Sequence, residues 1–256
     1  QLVDGRTVGE LLDEGEGVEG DQGLRRDVLE QARGKLRRGD RMRDEGKAKW
    51  SATSKLGVPL PDSASAPNGL VVNVSARHCH LSPRAVEELF GPGYELTPMK
   101  DLYQTGAFAA KETVTLVGPR SRVISNLRIL GPCREFNQVE LAYTDAIALG
   151  FDIPLRLSGD IGGSPGCMLM GPKGFFEMPE GVIRAAPHVH MSPEDASYYG
   201  VSHKDTMRMR VHGLCPVTFE NLVVRVDPSF NLEVHIDTDE GNACGLQTDT
   251  YCELIK

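Results

Sequence analysis

The feature that most constrains this 256-residue chain is a short motif that occurs twice, 110 residues apart. The first copy, RHCHLSPRAVEELFG, contains His78 and His80, and the second, PHVHMSPEDASYYG, contains His188 and His190. Each copy continues into Ser-Pro, a typical helix start with serine as the N-cap and proline in the first turn. The repeat therefore predicts two similar halves, each with a His-x-His strand followed by a short helix.

From Leu70 onward, short β-rich runs alternate with Gly- and Pro-containing turns. Runs such as LVVNVSA, RVISNLRILG and NLEVHIDT alternate apolar and polar residues, which is typical of half-buried strands. They recur about every ten residues, a spacing that favours barrels or sandwiches. The sequence therefore predicts a mainly β fold.

The duplication extends to a third position in each half. Two later segments share Asn-Leu, and aligning them on that pair matches Glu140 of the first half with His235 of the second. Residues two apart on a strand point to the same side, so each half would present two imidazoles and one further ligand. The predicted metal ligands are His78, His80, Glu140, His188, His190 and His235.

This set of ligands predicts two divalent metal ions per chain. Nitrogen-rich sets with a carboxylate suit Zn²⁺, with Co²⁺, Ni²⁺ or Mn²⁺ as possible substitutes. Six ligands exceed one tetrahedral site and fit two ions with open coordination positions, as in catalytic zinc sites. The remaining histidines of the catalytic region, His203 and His212, have no such partners and are interpreted as ordinary surface or core residues.

Composition excludes several classes of partner and site. The formal net charge of −8 argues against nucleic acid or an anionic membrane as the main partner. The longest apolar runs are too short to span a bilayer. Six cysteines without a CxxC pair indicate a reducing compartment. The hydrolase-like motif GGSPG at 162–166 has Pro165 after its serine, which lacks the N–H that an oxyanion hole needs.

Residues 1–66 differ in composition and predict a helical extension followed by a linker. An apolar stripe through Leu24, Val28 and Leu36 faces a side rich in Arg and Lys, and a Pro- and Ser-rich stretch follows. We expect this segment to dock to a partner protein. The alternative is a solvated arm, or a helix packed on the chain's own barrels.

Several long motifs identify a family resemblance over about residues 68–256. The motifs VSARHCHLS, CREFNQVELAYTDAIALG, PLRLSGDIGGSPG, APHVHMSPEDA and VHIDTDEGNA resemble those of the PduL-type phosphotransacylases, or phosphate propanoyltransferases. The resemblance implies two similar β-barrels capped by short helices, one from residues 67–77 plus 186–256 and one from 78–185. It also implies a homodimer, the usual state in this family. It also implies a reaction between a short-chain acyl-CoA and phosphate that yields acyl phosphate and coenzyme A.

The resemblance further implies a location and a set of site residues. Family members often work in the lumen of bacterial microcompartments in the cytoplasm, so the N-terminal helix would meet shell proteins. Arg134 would meet phosphate, with Ser158 beside it. The residues implied to contact coenzyme A are Ser75, Lys100, Arg128, Leu130 and Asn242.

The chemistry agrees with these roles, and two alternatives stay open. A zinc ion would polarise the thioester carbonyl, and the guanidinium of Arg134 would hold two phosphate oxygens at once. The same ligands could instead serve a two-metal phosphoesterase, because they could activate water. A non-catalytic, shell-associated barrel with structural zinc is the second alternative.

Overall fold

The computed structural model describes residues 69–213 and 215–256, so the predicted helical extension at 1–66 lies outside it. Within these residues the chain forms fifteen strands and four short helices, which confirms the prediction of a mainly β fold. None of those helices is long and apolar enough to cross a membrane.

The strands, numbered in chain order, form two curled half-barrel sheets. The first sheet has six strands in the spatial order β1-β14-β11-β13-β12-β15. Its strands are β1 (Val71–Ser75), β11 (His188–Met191), β12 (Thr206–Val211), β13 (Val217–Val226), β14 (Glu233–Asp237) and β15 (Cys252–Ile255). Because β1 pairs in parallel with β14, the first described strand belongs to the same sheet as the C-terminal strands.

The second sheet is formed by the central part of the chain. Its spatial order is β7-β10-β6-β2-β5-β4-β8-β9, with β3 paired to β4. Its strands are β2 (His78–His80), β3 (Pro98–Asp101), β4 (Phe108–Val117), β5 (Val123–Gly131), β6 (Gln138–Glu140), β7 (Leu155–Arg156), β8 (Cys167–Met170), β9 (Phe175–Met178) and β10 (Val182–Ala185). The domain boundaries proposed from the sequence at 77/78 and 185/186 stay a prediction.

Two of the four helices begin where the Ser-Pro motifs predict them. These are α1 (Pro83–Phe90), where Ser82 accepts a hydrogen bond from the N–H of Ala85, and α3 (Pro193–Tyr199), where Ser192 forms a capping box with Asp195. The other two, α2 (Tyr143–Leu149) and α4 (Thr238–Cys244), were not predicted from the sequence.

The two sheets have separate apolar cores. Strand alternation sends Cys79 and Val189, both fully buried, into the cores of the nine-stranded and the six-stranded sheet respectively. The flanking histidines of β2 and β11 therefore leave their sheets on the opposite face. This places both His-x-His pairs outside the apolar cores.

The strand register shows that the two halves are built alike around the histidines. In the nine-stranded sheet, His78 lies opposite Glu140 in an antiparallel pairing of β2 with β6. In the six-stranded sheet, His188 lies opposite His235 in an antiparallel pairing of β11 with β14. Glu140 and His235 thus occupy equivalent positions, as counting along the sequence predicted.

A buried turn explains the GGSPG segment without catalysis. The Ser164 hydroxyl donates to the carbonyl of Ile161 at 2.7 Å and accepts from the N–H of Gly181 at 2.9 Å. A Cβ atom on Gly166 would lie 2.2 Å from the carbonyl oxygen of Met178. The segment therefore consists of a structural serine and a glycine that allows two backbones to approach closely.

Gly166→Ala should destabilise the protein, because the added methyl meets rigid backbone rather than a flexible side chain. Overpacking of this kind costs about 1–3 kcal/mol, whereas an exposed substitution without contacts stays within about 0.5 kcal/mol. Gly162→Ala is the matched control, since a Cβ there has no neighbour within 4 Å. Urea unfolding followed by circular dichroism measures the difference, and equal midpoints for the two variants would contradict the prediction.

Candidate metal centre

The first cluster of donor atoms lies on β2 and β6. The Nε2 atom of His78 is 3.5 Å from one carboxylate oxygen of Glu140, and the Nε2 atom of His80 is 3.9 Å from the other. All three side chains are buried. The structure therefore brings together the three ligands that the sequence predicts for the first half, and we name them the first triad.

The second cluster lies on β11 and β14 and consists of His188, His190 and His235, the second triad. Their ring centroids are 4.8–4.9 Å apart in all three pairs. The ring of Phe230 stacks on His190 at 4.2 Å and closes one side of the cluster. The three ligands predicted for the second half are thus also brought together.

Backbone carbonyls orient one histidine in each triad. The Nδ1 atom of His78 lies 2.8 Å from the carbonyl oxygen of Ala76, and that of His188 lies 2.8 Å from the carbonyl oxygen of Ala186. A carbonyl only accepts, so each Nδ1 carries a proton, and in the neutral ring each Nε2 keeps a free lone pair. This is the usual arrangement of histidines that ligate a metal.

Each triad fits a divalent cation. The donor atoms of each lie within 4.8 Å of one another. Three buried ring nitrogens, Nδ1 of His80 and both nitrogens of His190, have no hydrogen-bond partner. A buried polar atom without a partner is costly, and a cation bound by the second triad would satisfy a ring nitrogen of His190.

The electrostatics favour neutral rings with a free lone pair at His80, His188 and His190. Burial lowers the pKa of His80 to about 3, that of His188 to about 4 and that of His190 to about 2. Burial also acts to lower the pKa of His78, but the Glu140 carboxylate outweighs it and the pKa is raised. Burial would raise the pKa of Glu140, yet the charges of the neighbouring histidines hold it well below its usual range.

The two triads open onto one pocket. Residues of both sheets line it: Ser75, Glu140, Leu141, Ala185, Ala186, His188, His235, Ile236 and Asp237. The pocket therefore contains the carboxylate of the first triad and two imidazoles of the second. Reacting groups placed in it would meet both clusters at once.

Two supporting residues were missed by the sequence analysis, Gln138 and Glu233. Each lies two positions before the third ligand of its triad. The Nε2 atom of Gln138 donates to Glu140 at 2.6 Å, and a carboxylate oxygen of Glu233 lies 2.9 Å from Nε2 of His235. The internal repeat could have identified them, because the alignment that matches Glu140 with His235 also matches Gln138 with Glu233. In the structure Gln138 lies opposite His80, and Glu233 lies opposite His190.

The predicted phosphate residues lie together beside the first triad. Nη1 of Arg134 donates to the hydroxyl of Ser158 at 3.2 Å, and Nε2 of Gln138 donates to the same hydroxyl at 2.9 Å. Gln138 also holds Glu140, so a continuous hydrogen-bonded chain runs from Arg134 to the first triad. Burial lowers the pKa of Arg134, and the Glu140 charge opposes that shift.

The residues implied to contact coenzyme A fall into two groups. Lys100 and Leu130 both pair with Ala109, so they form one row across β3, β4 and β5, and Arg128 lies on the same strand as Leu130. Nη1 of Arg128 donates to the carbonyls of Ala110 and Lys111 at 2.8 Å each.

The second group belongs to the six-stranded half. Ser75 ends β1, lines the pocket and has its hydroxyl 3.2 Å from Nδ1 of His235. Asn242 is an exposed residue of α4. The structure thus places Ser75 in the pocket, and distributes the other four between the second sheet and α4.

Comparison with known proteins agrees with this geometry. The family model for phosphate propanoyltransferase matches residues 71–247. A phosphate propanoyltransferase of Planctopirus limnophila is 54% identical over 206 residues, which cover 80% of this chain and 84% of that protein. One from Thermotoga maritima is 51% identical over 189 residues, covering 73% of this chain and 90% of that protein.

These matches confirm the resemblance predicted from the motifs, and with it the enzyme class of a phosphate acyltransferase. Acyl-CoA and phosphate as substrates fit that class. The chain belongs to the phosphate propanoyltransferase family.

Proposed function

We propose that this protein interconverts a short-chain acyl-CoA and phosphate with acyl phosphate and coenzyme A, in the pocket between the two triads. The observation that carries the proposal is that one pocket contains groups of both triads, with the partly buried Arg134 linked to Glu140 through Ser158 and Gln138. Propanoyl-CoA is the proposed substrate, because the relatives are named phosphate propanoyltransferases.

In the forward reaction an oxygen of phosphate attacks the thioester carbonyl carbon. A C–O bond forms, the C–S bond breaks, and its electron pair leaves with the sulfur of coenzyme A. Phosphate is largely a dianion at neutral pH, so the protein has to orient it more than to deprotonate it. Arg134 does this with its planar guanidinium, which Ser158 holds in place.

The two triads would hold two divalent cations, and their nitrogen-rich donor sets favour Zn²⁺. Bound cations of this kind polarise a carbonyl oxygen and stabilise a thiolate leaving group. Gln138 orients the Glu140 carboxylate, and the carbonyls of Ala76 and Ala186 orient the rings of His78 and His188. The binding groups are thus fixed before substrate arrives.

The proposed reaction can be tested by following free thiol when purified protein is mixed with propanoyl-CoA and phosphate. We expect thiol release that depends on phosphate. Release without phosphate would indicate a thioesterase, and cleavage of a chromogenic phosphoester instead of the thioester would indicate a two-metal phosphoesterase. No release would leave the non-catalytic barrel as the better interpretation.

Arg134 variants extend the same assay to the phosphate site. Arg134→Ala should raise the Michaelis constant for phosphate and lower turnover by about 30- to 1000-fold, because a bidentate charged contact contributes about 2–4 kcal/mol. Arg134→Lys keeps the charge but loses the planar fork, so it should recover part of the loss. Metal content and affinity for coenzyme A should stay near wild type. An unchanged phosphate dependence in Arg134→Ala would end the assignment.

Metal analysis tests the two triads separately. We expect about two divalent ions per chain in the wild type, as three protein ligands per ion allow. His78→Ala and His188→Ala should each lose about one ion and most activity. His212→Ala is the control, since this histidine is paired with Glu253 away from both triads. Elemental mass spectrometry of the purified proteins measures the number of metal ions per chain. Two ions per chain in either triad variant would contradict the proposal.

The N-terminal segment carries a separate proposal about location. We propose that residues 1–66 deliver the enzyme to the lumen of a bacterial microcompartment, where it works as a homodimer. The support is the amphipathic pattern and linker of the sequence. Deleting residues 1–65 should leave turnover nearly intact and abolish co-purification with shell particles. Loss of activity or folding on deletion would instead indicate that the segment packs on its own barrels.

A further inference from the structure

Arg225 is a charged residue on the face of the six-stranded sheet that carries the histidines, and it has no role in the reaction proposed above. It lies on β13 directly opposite His190 in a parallel pairing, so both side chains leave the sheet on the same face. Its neighbour Val224 points the other way and is fully buried in the core. The Arg225 guanidinium lies 5.8 Å from the ring of Phe230, which in turn stacks on His190.

The charge of Arg225 has no direct counter-ion. Among residues 69–213 and 215–256, the ion pairs shorter than 4 Å do not include it. Its side chain is partly buried, and burial lowers its pKa while the Glu140 carboxylate opposes that shift. A partly desolvated guanidinium without a paired anion is costly.

Arg225 and Arg134 belong to different halves and lie beside the two triads: Arg225 pairs with His190 across strands, and Arg134 is linked through Ser158 and Gln138 to the first triad. Burial lowers the pKa of Arg134, the Glu140 charge raises it, and the positive charge of Arg225 lowers it again. Two positively charged guanidinium groups repel each other, and an anion bound between them would offset that repulsion.

The duplication shows that the fold does not require an arginine at this position. In the nine-stranded sheet, His78 pairs with Arg128 and Cys79 with Ile129, so the next position on β5 is Leu130. In the six-stranded sheet, the corresponding position opposite His190 is Arg225. An apolar residue therefore occupies the equivalent position in the other half, and the arginine is a specific departure from the repeat.

We infer that Arg225 is a second phosphate-binding residue, which contacts the oxygens of inorganic phosphate and of acyl phosphate from the six-stranded sheet while Arg134 contacts them from the nine-stranded sheet. The inference rests on the proposed function. Two guanidinium groups from different halves of the chain fix both the position and the rotation of a tetrahedral anion, which one fork alone does not. The phosphate oxygen that attacks is then aimed at the carbonyl carbon.

The test is the kinetics of Arg225→Ala and Arg225→Lys in the full-length protein. Arg225→Ala should raise the Michaelis constant for inorganic phosphate about 10- to 100-fold and leave that for propanoyl-CoA within about 2-fold. Arg225→Lys should fall between Arg225→Ala and the wild type, because it keeps the charge without the fork. In the reverse direction, the Michaelis constant for propanoyl phosphate should rise while that for coenzyme A stays unchanged.

Arg210→Ala is the matched control. Arg210 is an exposed arginine of the same sheet, on β12 opposite Thr218 near the far end of β13, and it should behave as wild type. Metal content of every variant is measured alongside, because Arg225 also packs near a residue of the second triad. A selective effect on phosphate with normal metal content supports the inference.

Two results would overturn the inference. One is a Michaelis constant for phosphate in Arg225→Ala equal to that of the control. The other is an equal change for both substrates together with lost metal, which would make Arg225 a structural support of the second triad. If Arg225→Ala does not fold, Arg225→Lys decides by the same criteria. Wild-type protein without phosphate-dependent thiol release would count against the proposed function itself, whereas an active wild type with unaffected Arg225 variants counts against this inference alone.

Discussion

Arg184 forms the contact on which the shared pocket depends, because it ties one sheet to the other. It lies on β10 of the nine-stranded sheet, and its guanidinium donates to Asp237 at 2.6 Å and to Glu240 at 2.7 Å in the six-stranded half. All three side chains are largely buried, so these charged hydrogen bonds contribute about 1.5–3 kcal/mol each. Asp237 is also the N-cap of α4 and lines the pocket. One arginine thus connects sheet, helix and site.

Duplication followed by divergence accounts for the chemistry of the two triads. The same strand register presents a carboxylate at Glu140 and an imidazole at His235. Two positions earlier the order of charged and neutral residues is reversed. The neutral amide of Gln138 donates to the Glu140 carboxylate, whereas the acidic Glu233 contacts the His235 imidazole. One carboxylate, Glu140, is therefore the third ligand of the first triad, and another, Glu233, contacts the third ligand of the second triad from outside it. The first offers that charge to a cation directly, while the second uses it to make His235 a stronger donor.

The parts of this site that could be predicted from sequence are those that a single strand determines. Two histidines separated by one residue lie on the same face of any strand. Ser82 and Ser192, as N-cap residues, predict the helices that follow them. The helix α2 could not be predicted in this way, because its N-cap is Ala142, which has no side-chain acceptor. Gln138 and Arg225 were not singled out from the sequence because their places beside the triads depend on pairing between strands that are distant in sequence.

The departures from the internal repeat are the places where the two halves differ in task. A perfect repeat would give two equal sites, each able to hold a cation and neither able to distinguish phosphate from acyl-CoA. Arg134 stands in the connection before β6, where it is held by Ser158, and Arg225 stands on β13 where the other half has Leu130. Both departures add positive charge beside Glu140, so an anion bound there would meet an arginine from each half. Selectivity for phosphate would then come from the asymmetry between the halves, while their shared strand register supplies the paired triads.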